Sequence, residues 1–400
     1  MGIGAALPPL FKGDKSAEAE ALNQQFLIIG AGAAGLMAGH TLSQYGAQYT
    51  VLEASGRHGG RLKKDETLAD FPIDLGGEWI HLVGPTGPAS ILNELSETST
   101  AHQHAEPWTP QTADYWDGST LHANNSDALN WRDDWRFKSA TWYDFFNVFI
   151  APNVIPNIRY NSPVVSIDYS GSQIVVQTQG GQTYTADKLI FTAPVRVLLD
   201  GDITFQPALP AEKTSALSNV EMPPGIKVFM AFSQQFYPDY IQLPGRSTTS
   251  LADAIFFNEA LGRDSSQHIL GFFAVGDPAL PYTTLASDVA IVQKLLELLD
   301  SMYSGAASSS FLDRAIVQNW AKEPYVRGSY SRYGGSNAQA VAAVKTVSAT
   351  INNKIYFAGE AYAGARADWG FAHLAGQAGR DKAIEALLSH KVYVPLVVKP

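Results

Sequence analysis

The first sustained apolar run is Phe26–Ile29, which passes straight into Gly-Ala-Gly-Ala-Ala-Gly. A short continuous apolar run closed by glycine reads as a buried parallel strand. Leu36–Tyr45 then has helical spacing, and Gln48–Leu52 is a second strand that ends at Glu53. Together they make a βαβ unit. Between 85 and 158 the pattern dissolves into Trp, Asp, Asn and Pro, with a helix only around Trp142–Phe149. From Pro163 onward, β-branched runs separated by Ser-Gly-Ser and Gly-Gly predict a meander of three or four strands. Ile226–Phe232 and Ile269–Val275 are further strands, Ser287–Leu299 is an amphipathic helix, Ile355–Ala358 is a short buried strand, and Phe371–Leu388 is a helix. No tandem repeat is visible.

This order predicts an α/β chain, α+β overall. A Rossmann-type domain is assembled from separated segments, 24–84, 159–210 and 350–390. A substrate domain on a mixed β-sheet with helices takes 85–158 and 211–349. Residues 1–23 read as a loosely packed arm. The length, 400 residues, fits two domains. Hydrophobic residues at 46% and charged residues at 16% supply ample core. The net charge of -10 with no Lys/Arg cluster argues against a nucleic-acid partner. Without cysteine there is no disulfide, thiolate metal site or cysteine nucleophile, and no histidine spacing suits a metal. No apolar run is long enough to cross a membrane, and the N-terminus lacks a secretory pattern, so the expected location is cytoplasmic.

The glycine loop carries the first chemistry. Gly30 lets the strand turn, Gly32 lets backbone approach a pyrophosphate, and Gly35 lets the helix pack closely on the strand. The following helix aims free N–H groups and its positive dipole end at the phosphates. Glu53 can take both ribose hydroxyls of an adenosine and would repel a 2′-phosphate, which disfavours NADP. The glycines alone are a weak signal; strand, loop, helix, strand and acid in that order are a strong one.

Three later motifs narrow the cofactor. Glu53 leads through Ala54 into EASGRHGGR, where Gly59, Gly60 and Arg61 add a second glycine turn and a cation for the pyrophosphate. DLGGEWIH follows at Asp74–His81. IYFAGEA (Ile355–Ala361) and WGFAHLAGQAGRDKA (Trp369–Ala383) come near the other end. Together these resemble the flavin-containing amine oxidase family, which includes monoamine and polyamine oxidases. GGEWIH is most similar to the polyamine oxidase form of the turn beside the flavin.

The resemblance implies FAD, with cofactor contacts at Gly30, Gly32, Ala34, Gly35, Glu53, Ala54, Gly60, Arg61, Gly77, Glu78, Trp79, Val165, Trp320, Gly359, Glu360, Gly370 and Phe371. Gly359 and Glu360 stand in the element that meets the ribityl phosphate. The helix after Trp369 would put its positive end under the flavin pyrimidine, where reduced flavin carries negative charge; a helix that merely packs is the other reading. Ser329 occupies the place of the cysteine that bonds flavin in monoamine oxidases, so the cofactor is expected to be non-covalent. Tyr330 and Phe371 match two aromatic positions that flank the amine, or are core aromatics.

Lys227 lies in GIKVFMAF, apolar on both faces, and an ammonium buried there needs water, an acceptor or a changed charge state. The family has a lysine at the matching place, associated with reoxidation by oxygen; a strand-edge lysine reaching solvent is the alternative. His81 follows Trp79 and Ile80 and either meets the substrate or is structural.

The implied reaction removes a hydride equivalent from the carbon beside a neutral amine, hydrolyses the imine and passes electrons to oxygen as hydrogen peroxide. No second strand–GxGxxG–helix unit for NAD(P)H is visible. The short 85–158 segment leaves the substrate cavity either more open or completed by another chain, as in a homodimer. Competing readings are a flavin desaturase, an L-amino-acid oxidase using Arg327 for the carboxylate, and a non-catalytic flavin-binding protein.

Overall fold

The computed structural model describes residues 15–80, 105–129, 134–245, 253–363 and 372–389. They form two compact units, each assembled from separated segments.

The first unit comprises 1–60, 146–220 and 333–400. At its centre is a five-stranded parallel sheet in the order Ile355–Phe357, Lys188–Phe191, Gln25–Ile29, Gln48–Leu52 and Ile158–Arg159. Phe26–Ile29 are all buried, as expected of a strand covered on both faces. The glycine-loop helix, Ala33–Tyr45, is buried from Ala33 through Leu42. It stops at Gly46, whose left-handed backbone returns its N–H to the carbonyl of Ser43. The helix Ala372–Leu388 packs along it. A second sheet in this unit has the order Thr183–Ala186, Ile174–Thr178, Val164–Asp168 and Thr204–Gln206.

The second unit comprises 61–145 and 221–332. Its seven-stranded mixed sheet runs Phe311–Asn319, Gly225–Phe232, His268–Val275, Asp253–Asn258, Tyr240–Gln242, Ala113–Trp116 and Leu121–His122. Alternation along Gly225–Phe232 feeds two cores. Ile226, Val228, Met230 and Phe232 pack with the helix Asp288–Tyr303 through Ile291, Leu295 and Leu299. Phe229 and Ala231 pack on the other face with Leu68, Phe71, Ile73 and Leu75.

Several expectations need adjustment. The meander contributes three strands to the second sheet of the first unit, while its last run, Lys188–Phe191, joins the parallel sheet between Gln25–Ile29 and Ile355–Phe357. Within the expected arm, Lys15–Leu22 is a helix. The compact units also divide elsewhere than expected. Residues 61–80 belong with the second unit because Leu68, Phe71, Ile73 and Leu75 bury against its sheet. Residues 333–349 belong with the first, because the helix Asn337–Val347 packs on the helix Ala211–Leu217.

Candidate functional site

In the first unit the glycine loop leaves the carboxyl end of the central strand. A Cβ on Gly35 would stand 1.9 Å from the Gly30 carbonyl oxygen, so only glycine permits this helix-to-loop approach. At Gly32 a Cβ would meet nothing nearer than the Gly59 oxygen at 3.9 Å. Among the described residues nothing demands glycine there, which suits a backbone kept bare for a phosphate. The second glycine turn docks on this loop: Gly59 donates to the Ala31 carbonyl at 2.8 Å and bridges to Gly32. Gly60 sits in the left-handed region at φ 57.

Glu53 is buried, and its carboxylate is already in use. Oε2 accepts from the Ala31 N–H at 2.7 Å; Oε1 accepts from the Ser55 N–H at 2.8 Å and the Ser55 hydroxyl at 2.7 Å. A carboxylate has about four acceptor positions, so Glu53 both fastens the loop and retains capacity for a ribose hydroxyl. Ala34 is buried in the helix; Ala54 is partly exposed just after Glu53. Thr192, not anticipated from the sequence, donates to the Ile29 carbonyl at 2.8 Å and lies 3.0 Å from that of Gly30. Gly359 follows Ile355–Phe357 at the same carboxyl edge, and Glu360 is buried beside it. The carboxyl edge of an open parallel sheet is where such folds hold ligands. Bare Gly32, the paired glycine turns and the buried acid fit the ADP portion of a dinucleotide. Val165, in contrast, is 37% exposed on the strand Val164–Asp168, at an irregularity between Val164 and Ser166.

The second unit holds the other predicted residues. Gly76 packs so tightly that a Cβ would stand 1.7 Å from the Arg61 carbonyl oxygen. Trp320 lies under this turn, its indole N–H donating to the Leu75 carbonyl at 2.9 Å. Arg61 donates to the Ser329 carbonyl at 2.8 Å, so its guanidinium helps to hold the segment containing Tyr330. The Ser329 hydroxyl donates to the Pro223 carbonyl at 3.1 Å. Tyr330 and Trp79 are half-buried and Gly77 is exposed. His81, Gly370 and Phe371 lie outside the described residues.

Lys227 is not at a strand edge. It pairs with Phe273 on one side and Gln318 on the other, and it is 3% exposed. Its ammonium donates to Glu78 Oε2 at 2.6 Å and to the Asp74 carbonyl at 3.1 Å. The rings of Trp79, Phe229 and Phe257 stand 5.1, 5.7 and 6.0 Å away. The need for an acceptor is met by Glu78.

Glu78 opens onto a buried chain of charges that sequence reading missed. Arg136 Nη1 lies 3.4 Å from Glu78 Oε1 and 3.1 Å from Glu259 Oε2. Arg263 Nη2 lies 2.6 Å from Glu259 Oε1. Burial drives the Glu78 carboxyl upward, but Lys227 and Arg136 reverse this and leave it below the usual range. Glu259 is pushed up to about 7 by burial and by the charge of Glu78, against the pull of Arg263 and Arg136. Burial also pushes Asp74 well above the usual carboxylate range despite Lys227. The available signal was Arg136 between Trp135 and Phe137 and Glu259 after the apolar strand Asp253–Asn258. Among the described residues no cluster could hold a metal, and no helix is long and apolar enough to cross a membrane.

Comparison with known proteins agrees with this arrangement. A family model described as flavin containing amine oxidoreductase matches residues 156–369, and one described as NAD(P)-binding Rossmann-like domain matches residues 28–93. Lysine-specific histone demethylase 1B of Mus musculus is 22% identical, over 85% of this chain and 50% of its own, so the chain spans about half of that relative. Probable polyamine oxidase 4 of Arabidopsis thaliana is 24% identical over 76% of each chain. Among solved structures, cyclohexylamine oxidase from Brevibacterium oxydans IH-35A has a TM-score of 0.72 at 16% identity, covering 92% of this chain and 99% of that one. A redesigned putrescine oxidase has a TM-score of 0.72 at 14% identity with the same coverage. At such identities the structural likeness establishes the fold.

Proposed function

Because the chain belongs to the family of flavin-containing amine oxidoreductases, we propose that it is an FAD-dependent oxidase of a small-molecule amine with oxygen as electron acceptor. The observation that carries the reading is the bare Gly32 backbone at the carboxyl edge of the parallel sheet, fastened by Glu53 and the Gly59–Gly60 turn. The bound flavin would supply two-electron chemistry, by which an amine, water and oxygen become a carbonyl compound, the freed amine or ammonia, and hydrogen peroxide. The chain's residues bind and orient. Gly30–Gly35 and the helix N-terminus take the pyrophosphate, and Glu53 takes a ribose hydroxyl. Trp79 and Tyr330 present aromatic surface suited to an amine. Lys227, paired with Glu78 and set beside the Trp79 ring, contributes a buried cationic side chain.

Ser329, with its hydroxyl bonded to a backbone carbonyl, supports non-covalent FAD. The relatives' names mention histone lysine, polyamine, putrescine and cyclohexylamine, whose common element is an amine nitrogen. The test is anaerobic titration of the purified protein. It should be yellow, and amines should bleach it while amino acids and NADH do not. Colourless protein after supplementation with FAD would refute the cofactor assignment; bleaching by amino acids alone would move the activity to an amino-acid oxidase.

A further inference from the structure

The five charged groups of the second unit form one row, Lys227, Glu78, Arg136, Glu259 and Arg263, with signs that alternate from end to end. Side-chain exposure along the row is 5% or less. Each interior member lies against an opposite charge on both sides. Lys227, at the end, meets a single carboxylate, the Asp74 carbonyl and three aromatic rings. The Glu78 carboxylate at 2.6 Å is its direct counter-charge, and removing one partner of such a buried pair leaves the other uncompensated.

We propose that Glu78 is a positioning residue for the oxidase: it fixes the Lys227 side chain in one place, and Arg136 with Glu259 and Arg263 keeps Glu78 itself in place. The proposal rests on the reading of Lys227 given above. Arg136 is anchored independently of the pair, since its Nη2 donates to the carbonyls of Glu259 and Leu261. Arg263 is likewise held by the carbonyls of Glu259 and Lys138. The row is therefore tied to backbone at its far end and delivers its terminal charge at the other. Among the described residues, the charged and titratable groups facing Lys227 are Glu78 and Asp74, with Arg136, Glu259 and Arg263 behind them. Burial pushes the Asp74 carboxyl above the usual carboxylate range, and it is the Asp74 backbone carbonyl, not its carboxyl, that accepts from Lys227.

The experiment uses FAD-loaded protein in two measurements. In the first, lysine side-chain nitrogens are labelled with ¹⁵N, and the Lys227 signal is identified by its loss in Lys227→Met. The parent should show one sharp side-chain signal. In Glu78→Gln the signal should shift and broaden as the side chain loses its fixed place, and Glu78→Asp should restore the parent signal in part. In the second, the oxygen-dependent return of the flavin colour is timed after reduction. Glu78→Gln should slow this return by about tenfold or more while leaving flavin content unchanged, and Glu78→Asp should recover part of the parent rate, which a merely structural role would not predict.

An unchanged Lys227 signal, or a parent reoxidation rate, in Glu78→Gln overturns the proposal. A Lys227→Met protein that reoxidises at the parent rate overturns the reading of Lys227 instead, while the nitrogen signal still decides whether Glu78 fixes its position. If Glu78→Gln does not fold, the double variant Glu78→Gln/Lys227→Met decides: recovery of folding supports the coupling, and failure to recover counts against it.

Discussion

At the scale of single residues, side chains expected to face a ligand prove also to hold the protein together. Glu53 ties the Ala31 N–H to Ser55. Glu53→Ala should leave these donors wanting and cost about 1–3 kcal/mol for each buried unsatisfied group. The urea midpoint and the flavin content of purified protein should both fall, and loss of stability without loss of flavin would leave Glu53 a purely structural role. Removing one partner from the buried Lys227–Glu78 pair should destabilise by about 3–5 kcal/mol. Lys227→Met should nevertheless retain flavin, and its reoxidation should be slower. His40 supplies a pH signature. Burial pushes it below its ordinary 6.5, against a hydrogen bond with the backbone of Ile150. The folded chain then binds fewer protons than the unfolded one just below that pH, so stability present above 6.5 is lost as the pH falls through the folded value. Melting temperature should drop on acidification, and His40→Gln should reduce that drop. The sequence singled out Lys227 because it interrupts an apolar run, and Glu53 because it closes the second strand after the glycine loop. It could not show Glu78, Arg136 and Glu259 as one row, because such contacts join residues far apart in the chain.

At the scale of elements, the glycine-loop helix and the helix Ala372–Leu388 are matched by shape. A Cβ on Gly379 would stand 2.0 Å from the Ala34 carbonyl oxygen. Gly379→Ala must therefore part the helices at the first turn of the glycine-loop helix, and overpacking of this kind costs about 1–3 kcal/mol. Lower thermal stability with lower flavin content is the expected result; an unchanged melting temperature would mean the helices separate freely. Elements with strong periodicity were legible: Gln48–Leu52 and Trp142–Phe149 fall where the pattern placed them. Phe311–Asn319 was not legible, because Asp313, Arg314, Gln318 and Asn319 break its apolar run and only pairing with Gly225–Phe232 makes it a strand. The helix Asn337–Val347 was missed for a related reason. Among the described residues its buried positions are few, Val344 and Val347, and its clear signal was the capping box of Ser336 and Gln339.

At the scale of the whole molecule, each unit is closed by segments distant in sequence. Lys188–Phe191 lies between Gln25–Ile29 and Ile355–Phe357, an arrangement that no local pattern announces. The glycine and acid motifs could reveal that the nucleotide-binding unit is discontinuous, but not which strand stands beside which. This arrangement also sets a timetable for biosynthesis. Gln25–Ile29 leaves the ribosome long before Ile355–Phe357 and the helix Ala372–Leu388 that covers the glycine-loop helix. At translation speeds of about 5–20 residues per second, the two events are separated by tens of seconds. During that interval the edge that would receive a dinucleotide is only partly built. A ribosome-bound chain halted before residue 350 should fail to retain FAD, and the released full-length chain should acquire it. Loading of the cofactor thus becomes a late step in the protein's maturation, and chaperones have the intervening time in which to shield the unfinished sheet.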